Sequence, residues 1–326
     1  MAVESHGMIE LVPLTFEDID HFSEWSTGLG WSVESTQLSP SGNEIVYDHF
    51  EFPELVVGHY RVKSTMKDVF ALPDGAVLFL ICRAKLPVMW CGKEIPPTLM
   101  AVLPSGREMW VVLPGGWDCY EITVSEELIR RTGLLPPDYL AKTTQPERGF
   151  VQLMEPVTGQ FLQRMDGFFE QGRRANGSLD RAVHRARFFD FIIDGLQQVI
   201  DAGLRASGSP VLRNSRRPDL VMKAREFVSA QVTTVSSVDE VAQALGVSYR
   251  VLNYAFRDSL GVSPYRYIQT EKLHAARRLL QRSDLSVSEA CLSLGFQKPA
   301  RFSEQYSRLF GELPSMTGRT RPRAAV

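Results

Sequence analysis

A ten-residue segment in the last third of the chain occurs twice, and this repeat restricts the possible fold more than any other feature. Residues 237–246 (SVDEVAQALG) recur 49 positions later as residues 286–295 (SVSEACLSLG). Each copy begins with Ser-x-x-Glu, the pattern of a capping box at a helix start. Each ends on a glycine, which readily adopts the left-handed conformation of a tight turn. The repeat therefore predicts two short helices, each followed by a turn.

A second helix is predicted after each turn, because apolar residues follow at helical spacing. They are Leu252, Phe256 and Leu260 after the first copy, and Phe302, Tyr306 and Phe310 after the second. Residues at i, i+4 and i+8 lie on one face of a helix. A capped helix, a glycine turn and a second helix with one apolar stripe are typical of a helix-turn-helix unit. Many helical hairpins share one such pattern, but two copies at a nearly constant offset are much more specific.

The segment between the two units has the pattern of a single helix over Pro264–Arg282. A helix of this length spans roughly 27 Å. Successive major-groove faces of B-DNA are separated by ~34 Å. The segment therefore predicts a rigid spacer that lets both second helices enter adjacent grooves.

The charge of the chain is divided unevenly, although the formal net charge is only −2. Residues 213–326 contain 18 Lys/Arg and 10 Asp/Glu, a net charge of +8, whereas residues 1–212 contain 18 and 28, a net charge of −10. A basic domain attached to an acidic one suggests that a polyanion binds at one end only. A solvated basic face is the alternative interpretation of the same charges.

The C-terminal region resembles the AraC/XylS family of bacterial regulators over about residues 218–318. The first family signature is present as Ala242, Gly246, Ser248, Leu252, Phe256, Arg257, Gly261, Ser263, Pro264, Leu273, Ala276, Leu279 and Leu280. The second is present as Gly295, Phe296, Phe302, Ser303, Tyr306, Phe310, Gly311 and Pro314. The sequence departs from that signature at Glu304, where Arg is frequent, at Ser307, where Lys is frequent, and at Lys298-Pro299.

The resemblance implies a ligand-responsive transcription regulator, an activator and a homodimer, that binds double-stranded promoter DNA, a small-molecule effector and RNA polymerase. On the first recognition helix the candidate DNA-binding residues are Ser248, Tyr249, Arg250, Asn253, Tyr254 and Arg257. Arg250, Asn253 and Tyr254 share a face, and Arg and Asn can each make two bonds to a purine edge. On the second helix the candidates are Lys298, Arg301, Ser303 and Glu304.

The region from about residue 45 to 125 has the pattern of an antiparallel β-domain. Strands are predicted at Leu55–Val62, Ala76–Cys82, 86–90, 98–103, Met109–Leu113 and 119–124, with Gly- and Pro-containing turns between them. A helix is predicted at 125–132. Since the family resemblance implies a sensor domain of jelly-roll shape, we predict an α+β fold. It has an N-terminal antiparallel jelly-roll or cupin-like domain with helices, and an all-α C-terminal domain of two helix-turn-helix units joined by a linker helix.

Residues 179–204 have the pattern of a helix with a wide apolar stripe. The stripe can pack against its own domain or form a homodimer interface, and the sequence leaves both open. Residues 206–210 (ASGSP) then read as a flexible linker. We therefore predict a sensor domain at 1–178, a helical dimerisation and linker segment at 179–217, and a DNA-binding domain at 218–326.

Three groups of side chains in the N-terminal half are candidates for ligand contact. His49, Glu51, Glu54 and His59 are too scattered to predict a metal site, and no cofactor is expected. Trp90, Trp110, Trp117 and Tyr120 either line an apolar cavity or pack in the core. The arginines suited to a phosphate-bearing effector such as a cyclic dinucleotide are Arg173, Arg174, Arg181, Arg185 and Arg187. A solvated helix surface and nonspecific DNA contact are the alternatives for them.

The remaining features indicate a cytoplasmic protein and weigh against other functions. The longest apolar run, Ala76–Cys82, is far too short for a membrane span, and the four cysteines have no metal-ligand spacing. An enzyme on the β-domain with a regulatory helical half is one rival function, but no catalytic pair or phosphate loop supports it. A protein-binding adaptor is the other rival. Salt-dependent DNA binding separates these possibilities.

Overall fold

The protein has a β-sheet domain followed by a helical domain. In this computed structural model the described residues are 9–40, 44–83, 86–136, 139–142, 149–174, 178–179, 182–206, 213–214, 218–282 and 285–317. None of the helices within these ranges combines the length and the apolarity needed to cross a membrane.

The strands belong almost entirely to the N-terminal domain. They are β1 (Ile9–Glu10), β2 (Val12–Phe16), β3 (Ser32–Gln37), β4 (Ile45–Phe52), β5 (Leu55–Val62), β6 (Met66–Ala71), β7 (Ala76–Cys82), β8 (Val88–Trp90), β9 (Lys93–Ile95), β10 (Leu99–Pro104), β11 (Met109–Leu113), β12 (Trp117–Ser125), β13 (Phe150–Gln152), β14 (Ser178–Leu179) and β15 (Arg213–Asn214). The strands predicted at residues 55–62, 76–82 and 109–113 are confirmed with their bounds.

The helices are divided between the two domains. They are α1 (Ile19–Gly28), α2 (Glu126–Thr132), α3 (Tyr139–Lys142), α4 (Val157–Arg174), α5 (Ala182–Arg205), α6 (Pro218–Ala230), α7 (Val238–Ala244), α8 (Tyr249–Leu260), α9 (Pro264–Arg282), α10 (Val287–Ser293) and α11 (Pro299–Phe310). The predicted spacer helix is confirmed as α9. The predicted helix at 125–132 is α2, for which Ser125 is the N-cap.

Two antiparallel sheets enclose the core of the N-terminal domain. Within the described ranges one has the strand order β13-β10-β7-β12-β5-β4-β2 and the other β15-β9-β8-β11-β6-β3, while β1 pairs with β14 alone. Side chains from both sheets, such as Leu80 and Trp117 from the first and Met66 and Val111 from the second, form one buried cluster between them. The predicted α+β class with an antiparallel N-terminal domain is confirmed.

The outer face of the first sheet is covered by α4 and α5. Phe161 and Phe169 from α4, and Phe188 and Leu196 from α5, are buried against the outward-facing residues of β5, β7 and β12. Because this sheet is covered on both faces, its interior strand β7 is buried along its whole length and has an unbroken apolar sequence. The apolar stripe of α5 therefore packs inside the subunit, and homodimerisation through it stays a prediction.

The C-terminal domain consists of the two predicted helix-turn-helix units. Leu252, Phe256 and Leu260 are buried in the first unit, and Phe302, Tyr306 and Phe310 in the second. Both predicted apolar stripes are thus confirmed. The turns pass through Gly246 at φ 65° and Gly295 at φ 75°, the left-handed region expected for them.

The outer face of the second sheet is covered by the C-terminal domain. Leu38, Val69 and Trp110 of the N-terminal domain form one buried cluster with Val221 and Ala224 of α6 and with the core of the first helix-turn-helix unit. The chain therefore has the layers α4/α5, first sheet, second sheet and C-terminal helices. The N-terminal domain and the helical domain share a continuous apolar contact.

Candidate nucleic-acid interface

The first recognition helix, α8, presents a polar face opposite its buried stripe. Tyr249, Arg250 and Arg257 are exposed, and Asn253 is half-buried on the same side of the helix. Ser248 is the N-cap, and its hydroxyl oxygen accepts a hydrogen bond from the backbone N–H of Val251 at 3.4 Å. Ser248 therefore has a structural role, and its hydroxyl hydrogen remains able to donate to a phosphate.

The second recognition helix, α11, has a similar face with a different helix start. Lys298, Arg301 and Glu304 are exposed and Ser303 is half-buried. Lys298 occupies the N-cap without a side-chain cap hydrogen bond, and Pro299 follows it at the first helical turn. The N–H groups of this turn are therefore available to an anion, and Lys298 adds a positive charge beside them.

The cations on both faces are not neutralised by neighbouring side chains. Over the described parts of the chain, Arg250, Arg257, Lys298 and Arg301 take part in no ion pair. Exposed unpaired guanidinium and ammonium groups can bind phosphates and guanine edges without first losing a partner. The two faces thus have the chemistry of a DNA-binding surface.

The two units are held in a fixed relation by α9. The Lys272 ammonium donates to the backbone oxygen of Leu294, at the end of α10, over 2.8 Å. Arg277 lies 3.2 Å from Glu312, which follows α11. The cap of α10 is a complete capping box of Ser286 and Glu289. In the first unit Ser237 caps α7 as predicted, but the Glu240 carboxylate accepts instead from the N–H and hydroxyl of Ser236.

Comparisons with known proteins agree with this geometry. A family model described as "Helix-turn-helix domain" matches residues 241–320. The "XylDLEGF operon transcriptional activator 2" of Pseudomonas putida is 34% identical over 95 residues, which are 28% of this chain and 60% of that protein. The C-terminal domain belongs to the AraC/XylS family.

Other relatives match the same part of the chain. The "Probable thc operon regulatory protein" of Rhodococcus erythropolis is 34% identical over 108 residues, 32% of this chain and 32% of that protein. A probable AraC family transcriptional regulator from Rhodopseudomonas palustris, whose structure is solved, is 31% identical with a TM-score of 0.30 and covers 32% of this chain and 99% of its own. The chain thus spans about a third to three fifths of the lengths of these two curated relatives.

The linker helix of the AraC-type domain is also the place where the N-terminal domain is anchored. Lys67 of β6 donates to the Tyr267 hydroxyl at 2.6 Å and to Glu271 Oε1 at 3.1 Å, and all three side chains are buried. Burial opposes ionisation of Glu271, but the nearby Lys67 ammonium and the Tyr267 hydroxyl outweigh it and lower the pKa of Glu271 to about 2. Glu271 is therefore ionised at neutral pH and forms an ion pair with Lys67.

Further contacts extend this interdomain network along α9. The backbone N–H of Gln37 donates to His274 Nε2 at 3.1 Å, and the Gln37 amide donates to the backbone oxygen of Leu309 in α11 at 3.0 Å. Asp18 lies 3.3 Å from Arg277. Burial lowers the pKa of His274 to about 4, so the imidazole is neutral and can accept the Gln37 hydrogen bond. These residues were not predicted to lie at a domain contact. The one sequence feature that marks them is a charged or polar residue within an otherwise apolar strand or helix face.

The predicted arginine cluster has several environments. Arg173 lies 2.6 Å from Asp48 and also contacts His59, and exposed Arg174 pairs with Glu170 at 3.4 Å. Arg187 is exposed. Arg181 and the side chain of Arg185 lie outside the described residues. Phosphate binding by this group stays a prediction.

The predicted aromatic and metal candidates are also separated by the fold. Trp90 and Trp117 line a cavity of about 330 Å³ between the two sheets. Trp110 instead packs towards the AraC-type domain, and Tyr120 packs under α4. His59 pairs with Asp118 at 2.8 Å. No group of His, Cys, Asp and Glu in the described part of the chain could hold a metal ion.

Proposed function

We propose that the protein is a ligand-responsive, sequence-specific transcription regulator that binds promoter DNA with α8 and α11 in successive major grooves. The observation that carries this proposal is the pair of recognition faces with unpaired cations, held by one helix within an AraC-type domain. The 19 residues of α9 give a length of roughly 28 Å. This is close to the ~34 Å between groove faces.

Direct base contact is assigned to Arg250 and Asn253 in this proposal, and phosphate contact to Arg257 and Lys298. Arg250 and Asn253 are one turn apart on α8, whereas Arg257 lies two turns beyond Arg250 towards the helix end. Arg and Asn at such positions can bond guanine O6/N7 and adenine N6/N7. Arg301, Ser303 and Glu304 would read the second half of the site.

Regulation would act through the contact between the sensor half and the linker helix. The β-domain touches α6, α9 and α11, so a ligand that changes the β-domain can change how the two recognition helices are presented. We further propose that the protein works in the cytoplasm as a homodimeric activator that contacts RNA polymerase. The names of the similar proteins, an operon transcriptional activator and an operon regulatory protein, support the role as an activator.

The test is selection of DNA from a random-sequence pool by the full chain, followed by affinity measurements on the selected site at several salt concentrations. We expect affinity to fall steeply with salt, because phosphate contacts release counterions. Arg250→Ala should weaken binding to the selected site by about 1–3 kcal/mol and relax the preference at one base pair. Arg257→Ala should weaken binding to all sequences about equally.

Arg130→Ala is the matched control, since Arg130 is an exposed arginine of α2 that pairs with Glu127 in the same helix. It should leave DNA affinity unchanged. Binding that does not respond to salt would contradict the proposal. So would an Arg250→Ala protein that is folded and keeps both the affinity and the base preference of the wild type.

A further inference from the structure

The cavity between the sheets has walls of unusual composition. Nine aromatic side chains line its volume of about 330 Å³, among them Trp25, Trp31, Tyr47, Tyr60, Phe70 and Trp117. Several are in mutual contact: the ring of Tyr47 lies 5.3 Å from Trp25 and 6.2 Å from Tyr60, with tilted or edge-to-face geometry. The rings therefore form an aromatic cage around the cavity.

The charges around this cage all have the same sign. Glu51, Glu54, Asp68, Asp74 and Glu121 line the cavity, whereas no Lys or Arg among the described residues does. The Glu54 carboxylate is neutralised by Arg131, which lies 2.6 Å away. The cavity is therefore an acidic site, and a ligand that carries a carboxylate or a phosphate would be repelled from it.

Asp68 is the best-defined acidic group of the cavity. Its side chain projects from β6 into the cavity and the residue is only 6% exposed. One oxygen, Oδ2, accepts a hydrogen bond from the Tyr60 hydroxyl at 3.4 Å. The other, Oδ1, makes no hydrogen bond of good geometry within the described part of the chain, although Ser35, its neighbour on β3, is close enough for its hydroxyl to lower the pKa of Asp68. A buried carboxylate oxygen without a partner is costly, so a ligand that supplies a donor or a positive charge there is favoured.

Glu121 faces the same space from the opposite sheet. It lies on β12, beside Gly58 of β5, which in turn is opposite His49 of β4. Across the described residues its carboxylate makes no hydrogen bond or ion pair. Burial, and to a lesser extent the charge of Asp68, raises the pKa of Glu121 to about 8. Both carboxylates therefore lack the positive partner that buried acidic groups normally have.

The backbone beside Glu121 is shaped to keep Tyr47 in the cage. A Cβ atom at Gly58 would overlap the Tyr47 hydroxyl and the adjoining ring atoms. The glycine thus leaves the space that the Tyr47 ring occupies between His49 and Glu121. Any larger residue at position 58 would push this ring out of its place.

We propose that this cavity binds a small organic cation, an alkylammonium or quaternary ammonium compound, with its charged group between Asp68 and Glu121 and its alkyl part against the aromatic rings. Aromatic faces and carboxylates both attract ammonium groups, and the volume lies within the range of small-molecule sites. A metal ion does not fit, because the described residues offer no group of three suitable ligands. That this cation is the effector of the regulator rests on the function proposed above. That the cavity binds the cation does not depend on that function.

The position of Asp68 also gives the ligand a direct route to the AraC-type domain. Alternate residues of a strand point to opposite faces of a sheet. Asp68 points into the cavity, whereas its neighbour Lys67 points outward to Tyr267 and Glu271 of α9. A displacement of β6 by the bound cation is therefore transmitted to the linker helix without any intervening element.

Three probes of equal shape test the charge preference in calorimetric titrations of the full chain without DNA. They are choline chloride, its uncharged isostere 3,3-dimethylbutan-1-ol, and the anion 3,3-dimethylbutanoate. We expect choline to bind roughly tenfold or more tightly than the alcohol, and the anion not to bind in the cavity. Equal affinity for choline and the alcohol, tighter binding of the anion, or no binding of choline at millimolar concentration would overturn the proposal.

Substitutions then locate the site. Asp68→Asn and Glu121→Gln should each lower the affinity for choline and leave the affinity for the alcohol little changed. Both variants should fold, because an amide does not carry the cost of burying an ionised carboxylate. Glu127→Gln, at an exposed residue of α2, is the control and should bind like the wild type. A choline preference that survives in the Asp68→Asn/Glu121→Gln double variant would place the cation elsewhere and refute the assignment.

The titrations also keep the two proposals separate. A cyclic dinucleotide is titrated in parallel to test the arginine group of α4 and α5. If it alone binds, the cavity is not the ligand site of this protein. A protein that binds choline but no DNA would support the cation site and contradict the proposed regulatory function. A protein that binds DNA but no choline would support the regulatory function and contradict the cation site.

Discussion

Removal of the Lys67 ammonium at the domain contact should strongly destabilise the protein. Lys67 and Glu271 lie 3.1 Å apart, and their side chains are 3% and 7% exposed. Two unit charges at that distance attract by about 5 kcal/mol at an effective dielectric constant of ~20. In Lys67→Met the Glu271 carboxylate stays buried, with the Thr36 hydroxyl 3.4 Å away and without its ammonium partner. We expect the free energy of unfolding to fall by about 3–5 kcal/mol.

A double-variant cycle separates the pair from the cost of an isolated charge. Glu271→Leu alone should also be destabilising, because it leaves the buried Lys67 ammonium with the Tyr267 hydroxyl as its single hydrogen-bond partner among the described residues. Lys67→Met/Glu271→Leu removes both charges and fills the space with apolar atoms, so it should recover most of the lost stability. Urea unfolding of the four proteins, followed by intrinsic fluorescence and by circular dichroism, measures the cycle.

Two results of the cycle would contradict a strong buried interaction between Lys67 and Glu271. A Lys67→Met protein that loses less than about 1 kcal/mol would show that the pair is solvated, as surface pairs are. A double variant whose loss equals the sum of the single losses would show that the two charges do not interact. Lys63→Met is the control, since Lys63 pairs with Glu44 at the surface, at 3.7 Å, with both side chains more than half exposed. It should change stability by no more than ~1 kcal/mol.

Two pH dependences follow from the same groups. His274 has a folded-state pKa of about 4 against an ordinary value of 6.5, so the unfolded state binds more protons between these values. The free energy of unfolding should therefore fall by up to about 3 kcal/mol as pH decreases through this window. In His274→Gln the free energy of unfolding should depend less steeply on pH. An unchanged pH dependence in this variant would show that His274 is not its cause. Choline has a fixed charge, whereas Asp68 and Glu121 have raised pKa values of about 6 and 8. Its affinity should rise from pH 5 to 9, and a flat profile would contradict binding between these carboxylates. The other titratable groups that line the same cavity are Glu51, Glu54, Asp74, His49, Tyr47 and Tyr60, and Cys119 lies close to Glu121.

Much of the DNA-binding half was predictable because its signals are local. Helix α9 has the bounds that the spacing predicted, and Gly246 and Gly295 have the left-handed backbone expected of them. Caps, glycine turns and apolar stripes act within a few residues of their position, so they are visible in the sequence. For the same reason the exposed residues of α8 and α11 were identified before the structure was known, although their contacts with DNA remain predictions.

The strands of the sensor half were predicted only where the apolar pattern was strong. The strands β5, β7 and β11 had the predicted bounds, but the segment before residue 45, with β2, α1 and β3, was not identified. β3 is rich in polar residues, and its last two, Thr36 and Gln37, are buried and bonded to the C-terminal domain rather than exposed to water. Without knowledge of that domain, its pattern looks like a loop.

The sequence by itself determined the two repeated helix units, the linker helix between them and the basic surface that they share. Only the tertiary structure decided what each face of the remaining elements contacts. The stripe of α5 could serve one subunit or two until its residues were seen against the first sheet. Lys67 and Glu271 are separated by 204 positions, and Asp68 and Glu121 lie on different sheets. Local sequence patterns show which side chains are apolar or charged. Charge pairs and cavities form between residues that are distant in the sequence, and only the folded chain brings such residues together.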